Sequence, residues 1–188
     1  MTSDTNVHTN QQYDKAVSSC KEIFINKSRD YGTSWRVLRP ISITDQIFIK
    51  AQRIRNIQQI GKQMVIDDVS SEFQGIVNYG IIGLIQLEMH NESMEDLPIV
   101  EAERKFDATI TKVRKVMLDK NHDYGEAWRS MSQEGFVDLI LVKILRIRQI
   151  LANEGKTLIS EGIDANIIDI INYSLFALIL ISEGKHKG

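Results

Sequence analysis

The sequence predicts an all-α protein: two tandem three-helix repeats packed as a pseudo-two-fold helical bundle. Three observations predict it. Two Pro and eleven Gly in 188 residues leave room for few turns and for long regular elements. Apolar residues recur at helical spacing, as in Ile47, Ala51, Ile54 and Ile57, while period-2 strand patterns bounded by turn residues are missing. Finally, "DYGTSWR" at 30–36 is matched by "DYGEAWR" at 123–129, 93 positions later.

The match extends well past the heptads. Asp45 pairs with Asp138, Lys50 with Lys143 and "RIR" at 53–55 with "RIR" at 146–148, all at the same offset. After one inserted residue the offset is 94, and Gly61-Lys62 pairs with Gly155-Lys156 and "NY" at 78–79 with "NY" at 172–173. A unit of about 75 residues has been duplicated.

Each unit has the same order of elements. A first helix is expected near 13–28 and 102–120, ending at the DYG loop, where Gly32 and Gly125 offer the positive φ that stops a helix. A short turn around the Trp follows, then a second helix near 43–60 and 136–153. A Gly-Lys linker leads to a long third helix near 68–90 and 161–183. The polar first dozen residues, 1–12, are expected to be a disordered tail. The first repeat then occupies 13–90, the Pro98-containing segment 91–100 is a linker, and the second repeat occupies 101–188. A lone three-helix unit of this size would be marginal, so the two repeats are expected to share one core.

Composition narrows the function classes. A net charge of −2 gives no strong signal for nucleic acid or a membrane surface. One cysteine, Cys20, excludes an internal disulfide and packs as a small apolar residue. The start has no basic region followed by an apolar stretch. The most apolar segment, 163–183, carries Asp164, Asn166, Asp169 and Asn172, which argues against a membrane span, so a cytoplasmic protein is expected. The four histidines have no zinc-ligand spacing, and no phosphate loop or nucleophile elbow is present.

Three stretches could carry chemistry. Around the DYG loops, Tyr31, Trp35 and Arg36, and Tyr124, Trp128 and Arg129, fit either a helix stop with an aromatic plug or a nucleotide site. In the second reading the rings stack on a base and the guanidinium meets phosphate. On the second helix Lys143 and Arg146 lie about 60° apart and Asp138 and Arg146 about 80° apart, so they share a face. That face is either a polyphosphate clamp or a solvated salt-bridged surface. On the third helix Glu161, Asp164, Asp169 and Asn172 fall in a stripe of roughly 140° that leads into an apolar end. Carboxylates beside a buried segment need cations, hydrogen bonds or a metal. Asp, Glu and Asn oxygens suit Mg²⁺, and a direct pair of Asp169 with Lys143 or Arg146 is the alternative. Gly75 stands where the second unit has Asp169, so an acidic site is expected to be fuller in the second unit. Gly75, Gly80 and Gly83 are expected to permit close helix approach.

"KNHDYGEAWR", "DLILVKILRIRQI" and "EGIDANIIDIINYSLFAL" together resemble the nucleotide-modification-associated domain family, in two tandem copies over nearly the whole chain. That family is similar in turn to the MazG-like all-α nucleoside triphosphate pyrophosphohydrolases, which hold Mg²⁺ on clustered acids. The resemblance carries over to Asp123, Tyr124, Gly125, Trp128, Arg129, Lys143, Arg146, Glu161, Asp169, Asn172 and Tyr173. The chain departs from it at Val142, Ile49 and Ala165, where family-like sequences often have an acid. It implies a nucleotide-related protein, with Mg²⁺-dependent hydrolysis of natural or modified nucleoside triphosphates as one expectation. In it Glu161, Asp164 and Asp169 hold the metal, Glu161 or Asp169 activates water, and Lys143 and Arg146 clamp phosphate. A nucleotide-binding module without turnover and a helical scaffold are the alternatives. The expected partner is a nucleotide or modified nucleotide, and a homo-oligomer is compatible with the sequence.

Overall fold

The computed structural model describes residues 2–61, 68–158 and 161–188, with side chains from residue 8 onward. Among the described residues six α-helices follow one another: α1 (Thr2–Tyr31), α2 (Pro40–Ile60), α3 (Val69–Glu88), α4 (Ile99–Tyr124), α5 (Gln133–Ala152) and α6 (Ile163–Ser182). Single 3₁₀ turns, Ser34–Val37 and Ala127–Ser130, follow α1 and α4. No strand occurs among the described residues. The all-α, two-repeat architecture expected from the sequence is the one observed. Lys62 of the Gly-Lys linker lies outside the described residues.

Local chemistry sets the boundaries. Gly32 and Gly125, at φ 64° and 59°, end α1 and α4. In the second unit Glu126 is also left-handed, at φ 58°, a conformation costly for a residue with a Cβ. Its carboxylate is held there by Arg129 Nε, 2.9 Å away. Pro40 opens α2 at a position where its missing N–H costs nothing. The Asp68 side chain accepts from Ser71 N at α3, and the Ser132 hydroxyl accepts from Gly135 N at α5.

The third helices, α3 and α6, pack together at the centre; α2 lies on α3, α5 on α6, and α2 touches α5. Each first helix spans both units, since α1 packs on α6 as well as α3, and α4 on α3 as well as α6. One continuous apolar core results, including Phe73, Phe106, Phe136, Ile54 and Ile147. Each such side chain contributes about 1.5–3 kcal/mol by leaving water. The pseudo-two-fold is visible in paired salt bridges: Arg148 with Asp45 at 2.8 Å, and its counterpart Arg55 with Asp138 at 3.6 Å.

Gly80 and Gly83 act as the sequence suggests. A Cβ on Gly80 would lie 2.6 Å from Ile171 Cγ1 of α6, and one on Gly83 3.3 Å from Ile167 Cδ1. Gly75 differs: it lies beneath the Lys50 side chain, with Cε 2.7 Å from the position of an added Cβ.

The expected disorder of the first dozen residues is corrected for 8–12, which belong to α1. Thr9 is buried. Arg129 donates to Thr9 Oγ1 at 2.6 Å and to Gln12 Oε1 at 2.8 Å, and Gln12 Nε2 donates to Glu183 Oε1 at 2.6 Å. A polar stretch reads as solvated in sequence; here its partners come from distant parts of the chain.

Candidate functional site

The second unit resolves its charges internally. Asp169 is 6% exposed, and its two carboxylate oxygens receive Lys120 Nζ at 2.5 Å and Lys143 Nζ at 2.7 Å. Lys143 is itself buried, whereas half of the Lys120 side chain reaches water. Burial opposes the Lys120 charge, but the hydrogen bond and charge of Asp169 outweigh it, so the Lys120 pKa is raised. One turn on, Asn172 Oδ1 accepts from the Tyr13 hydroxyl at 2.8 Å, and its Nδ2 donates to the Val113 carbonyl at 3.2 Å. Trp128 is buried and stacks on Phe176, with centroids 4.3 Å apart and planes 5° from parallel.

The first unit is built from equivalent positions and is open. A cavity of about 630 Å³ lies between α1, the turn after it, α2 and α3. Lys27 and Lys50 line it together with Tyr31, Trp35, Tyr79 and Asn78. Two replacements distinguish it, the first of them covered by the Lys50 side chain. Gly75 stands where the second unit has Asp169, and Ile82 stands where it has Phe176, so the ring that covers Trp128 has no counterpart over Trp35. Trp35 is accordingly half-buried and makes a tilted contact with Phe24, at 6.2 Å between centroids.

The carboxylate has moved as well. Glu72, the counterpart of Asn166, lies one turn before Gly75, is 6% exposed, and pairs with Lys50 at 3.1 Å and with Arg53. Asn78 Nδ2 donates to the Cys20 carbonyl, as Asn172 does to Val113, but its buried Oδ1 has no partner. The position equivalent to Tyr13 is Phe106, which has no hydroxyl to offer.

Both loop arginines face the scaffold. Arg36 is 3% exposed and donates to Gln86 Oε1 and the Ser93 carbonyl, fastening the turn to α3 and to the inter-repeat segment. Arg129 lies 4.4 Å over the Trp128 ring and donates to Glu126, Glu183, Thr9 and Gln12. Tyr31 and Tyr124 are exposed. Arg146 is exposed; burial, with the Asp169 charge adding to it, raises the pKa of Tyr173 against the opposing charges of Lys120 and Arg146. So the structure brings Lys143 and Asp169 into contact and leaves Arg146 and Tyr124 around the outer rim.

The expected Mg²⁺ ligands do not assemble. Glu161 is exposed before α6, and Asp164 lies in the first turn of α6 on a surface shared with Glu88 and Lys112. Both oxygens of Asp169 are taken by ammonium groups, and a cation there would have to displace two like charges. Among the described residues no three His, Cys, Asp or Glu side chains converge as a metal site. The donor set does not fit Mg²⁺, whose tight octahedron needs free carboxylate oxygens.

Sequence reasoning missed Lys27 and Lys120. The signal was available: they are identical residues at offset 93, three positions before the aspartates of the two heptads.

The Arg129 network carries a pH prediction. The Lys185 ammonium, 2.8 Å from the Glu183 carboxylate, with Gln12 and Arg129 adding to it against the cost of burial, holds Glu183 down to about 2 from its ordinary 4.5. A depressed carboxylate stabilises the fold above its unfolded pKa and loses that contribution as pH falls through the folded one. Stability is expected to drop between pH 4.5 and about 2, and Glu183→Gln to flatten that part of the profile. Urea denaturation at stepped pH measures both; identical slopes would dismiss the network.

No curated protein and no solved structure matches the chain significantly. The profile of the family described as Nucleotide modification associated domain 1 matches twice, at residues 27–87 and 120–181. Each matched segment runs from a lysine of a first helix, Lys27 or Lys120, through the DYG loop into the third helix. With about two thirds of its length matched in two copies, the chain belongs to the Nucleotide modification associated domain 1 family.

Proposed function

We propose that this chain is a nucleotide-binding module and that its site is the cavity of the first unit. One observation carries the reading. The cavity has lysines, Lys27 and Lys50, and a half-buried indole, Trp35, around a volume in the range of small-molecule sites. An aromatic face stacks on any base, natural or modified, and ammonium groups meet phosphate. The family to which the chain belongs is consistent in name with such a ligand.

Binding without turnover is the form of the function that the side chains favour. Hydrolysis by the expected route needs acids free to hold Mg²⁺, and Asp169 is engaged by two lysines. The test is a panel of natural and base-modified deoxynucleoside triphosphates, with and without Mg²⁺. Saturable thermal stabilisation by at least one of them is expected, worth about 2.7 kcal/mol at a hundredfold excess over Kd. No release of pyrophosphate or monophosphate is expected. Stabilisation by none of the panel rejects the reading, and Mg²⁺-dependent release of pyrophosphate replaces the binder with an enzyme.

A further inference from the structure

We infer that the second unit carries a built-in mimic of the ligand: the Asp169 carboxylate fills the place that, in the first unit, belongs to a phosphate group held by Lys27 and Lys50. The inference rests on the nucleotide-binding reading only for what the phosphate is attached to.

Duplication supplies the argument. Lys120, Lys143 and Asp169 of the second unit correspond to Lys27, Lys50 and Gly75 of the first. The two lysines close on one carboxylate where the third helix provides it. Where the third helix provides only a hydrogen, the two lysines line an open cavity. Glu72 does not make up the difference, because it is shared between Lys50 and Arg53, and Lys27 has no ion-pair partner among the described residues. The cavity is therefore lined by two lysines and one carboxylate already shared with Arg53, and the Lys27 ammonium is the charge that an incoming phosphate meets. Lys50 can turn to a ligand, since what covers Gly75 is the flexible end of its side chain. The second site is self-occupied, so the native chain takes up one anion, in the first unit.

Titration calorimetry with inorganic pyrophosphate tests this without any base. The native chain is expected to bind one equivalent. Lys27→Met should weaken binding about tenfold, the scale of a lost charge-assisted contact in a partly solvated site. The pair Glu72→Asn and Gly75→Asp, made together, copies the second unit into the first and should abolish binding while the fold is kept. Asp169→Gly should open a second equivalent, which adding Lys120→Met removes again. If that variant does not fold, the first-unit variants decide alone. No pyrophosphate uptake by the native chain, or native uptake by the Glu72→Asn/Gly75→Asp protein, overturns the inference. The two proposals fail separately. Tripolyphosphate binding as tightly as every nucleotide would reject the nucleotide reading and leave the anion site. Nucleotide binding indifferent to all these lysine and Gly75 changes would do the reverse.

Discussion

Asp169→Ala is expected to destabilise the folded chain by about 3–5 kcal/mol, the cost of leaving a buried charge without its partner. The two lysines do not share that cost equally. Lys120 has half its side chain in water and can swing outward, whereas Lys143 is 9% exposed and has no such exit. The loss is therefore mostly the stranded Lys143 ammonium. Adding Lys143→Met should recover much of it, because an apolar chain of similar length is often as stable there as the ion pair. Urea denaturation of the single and double variants measures both effects, with an unchanged m-value as the sign that only stability moved. A loss under about 1 kcal/mol for Asp169→Ala would mean that water already reaches the pair. The variant also connects stability to ligand. If the carboxylate stands in for a phosphate, pyrophosphate should stabilise Asp169→Ala by more than it stabilises the native chain, and that excess should vanish in the Lys120→Met background.

The helical frame was legible because it depends on properties that read locally. The apolar period of Ile47, Ala51, Ile54 and Ile57, the helix-ending Gly32 and Gly125, and the repeat offset each survive translation into structure. Residue identity alone does not show direction. Arg36 and Arg129 follow a Trp in both copies and look like phosphate ligands in sequence, yet both turn inward to fasten loops. Only the distant Gln86, Ser93, Thr9 and Glu183, none of them near in sequence, reveal that.

The location of the open space was missed for a related reason. Counting acids favours the second unit, where Asp169 survives, as the place for chemistry. Yet a buried carboxylate demands cations, and here it obtains two, so the residue that looks most reactive is the one that fills the pocket. The informative letters were the small ones, Gly75 and Ile82, which remove volume where their counterparts supply it. Absence of side-chain volume at one position means little by itself. It gains meaning only when a second copy of the same unit shows what would otherwise stand there.

The two tryptophans should separate scaffold from site. Trp128→Ala is expected to cost about 3–5 kcal/mol, since it removes a buried indole stacked on Phe176 and leaves a cavity in a shared core. Trp35→Ala removes a half-buried ring beside an existing cavity, and its cost in stability should be about half as large. The order reverses for ligand. Loss of an aromatic face opposite a base costs about 1–3 kcal/mol, so Trp35→Ala should weaken nucleotide binding by roughly tenfold or more. Its pyrophosphate affinity should stay native, because the lysines remain. Trp128→Ala, assayed at a temperature where it is folded, should bind both ligands as the native chain does. Denaturation curves and parallel titrations with a deoxynucleoside triphosphate and with pyrophosphate give the four numbers required. Equal effects of the two substitutions on nucleotide affinity would mean that the indoles serve only the fold, and the base would have to be sought against Tyr31 or Tyr79, the other rings that line the same space.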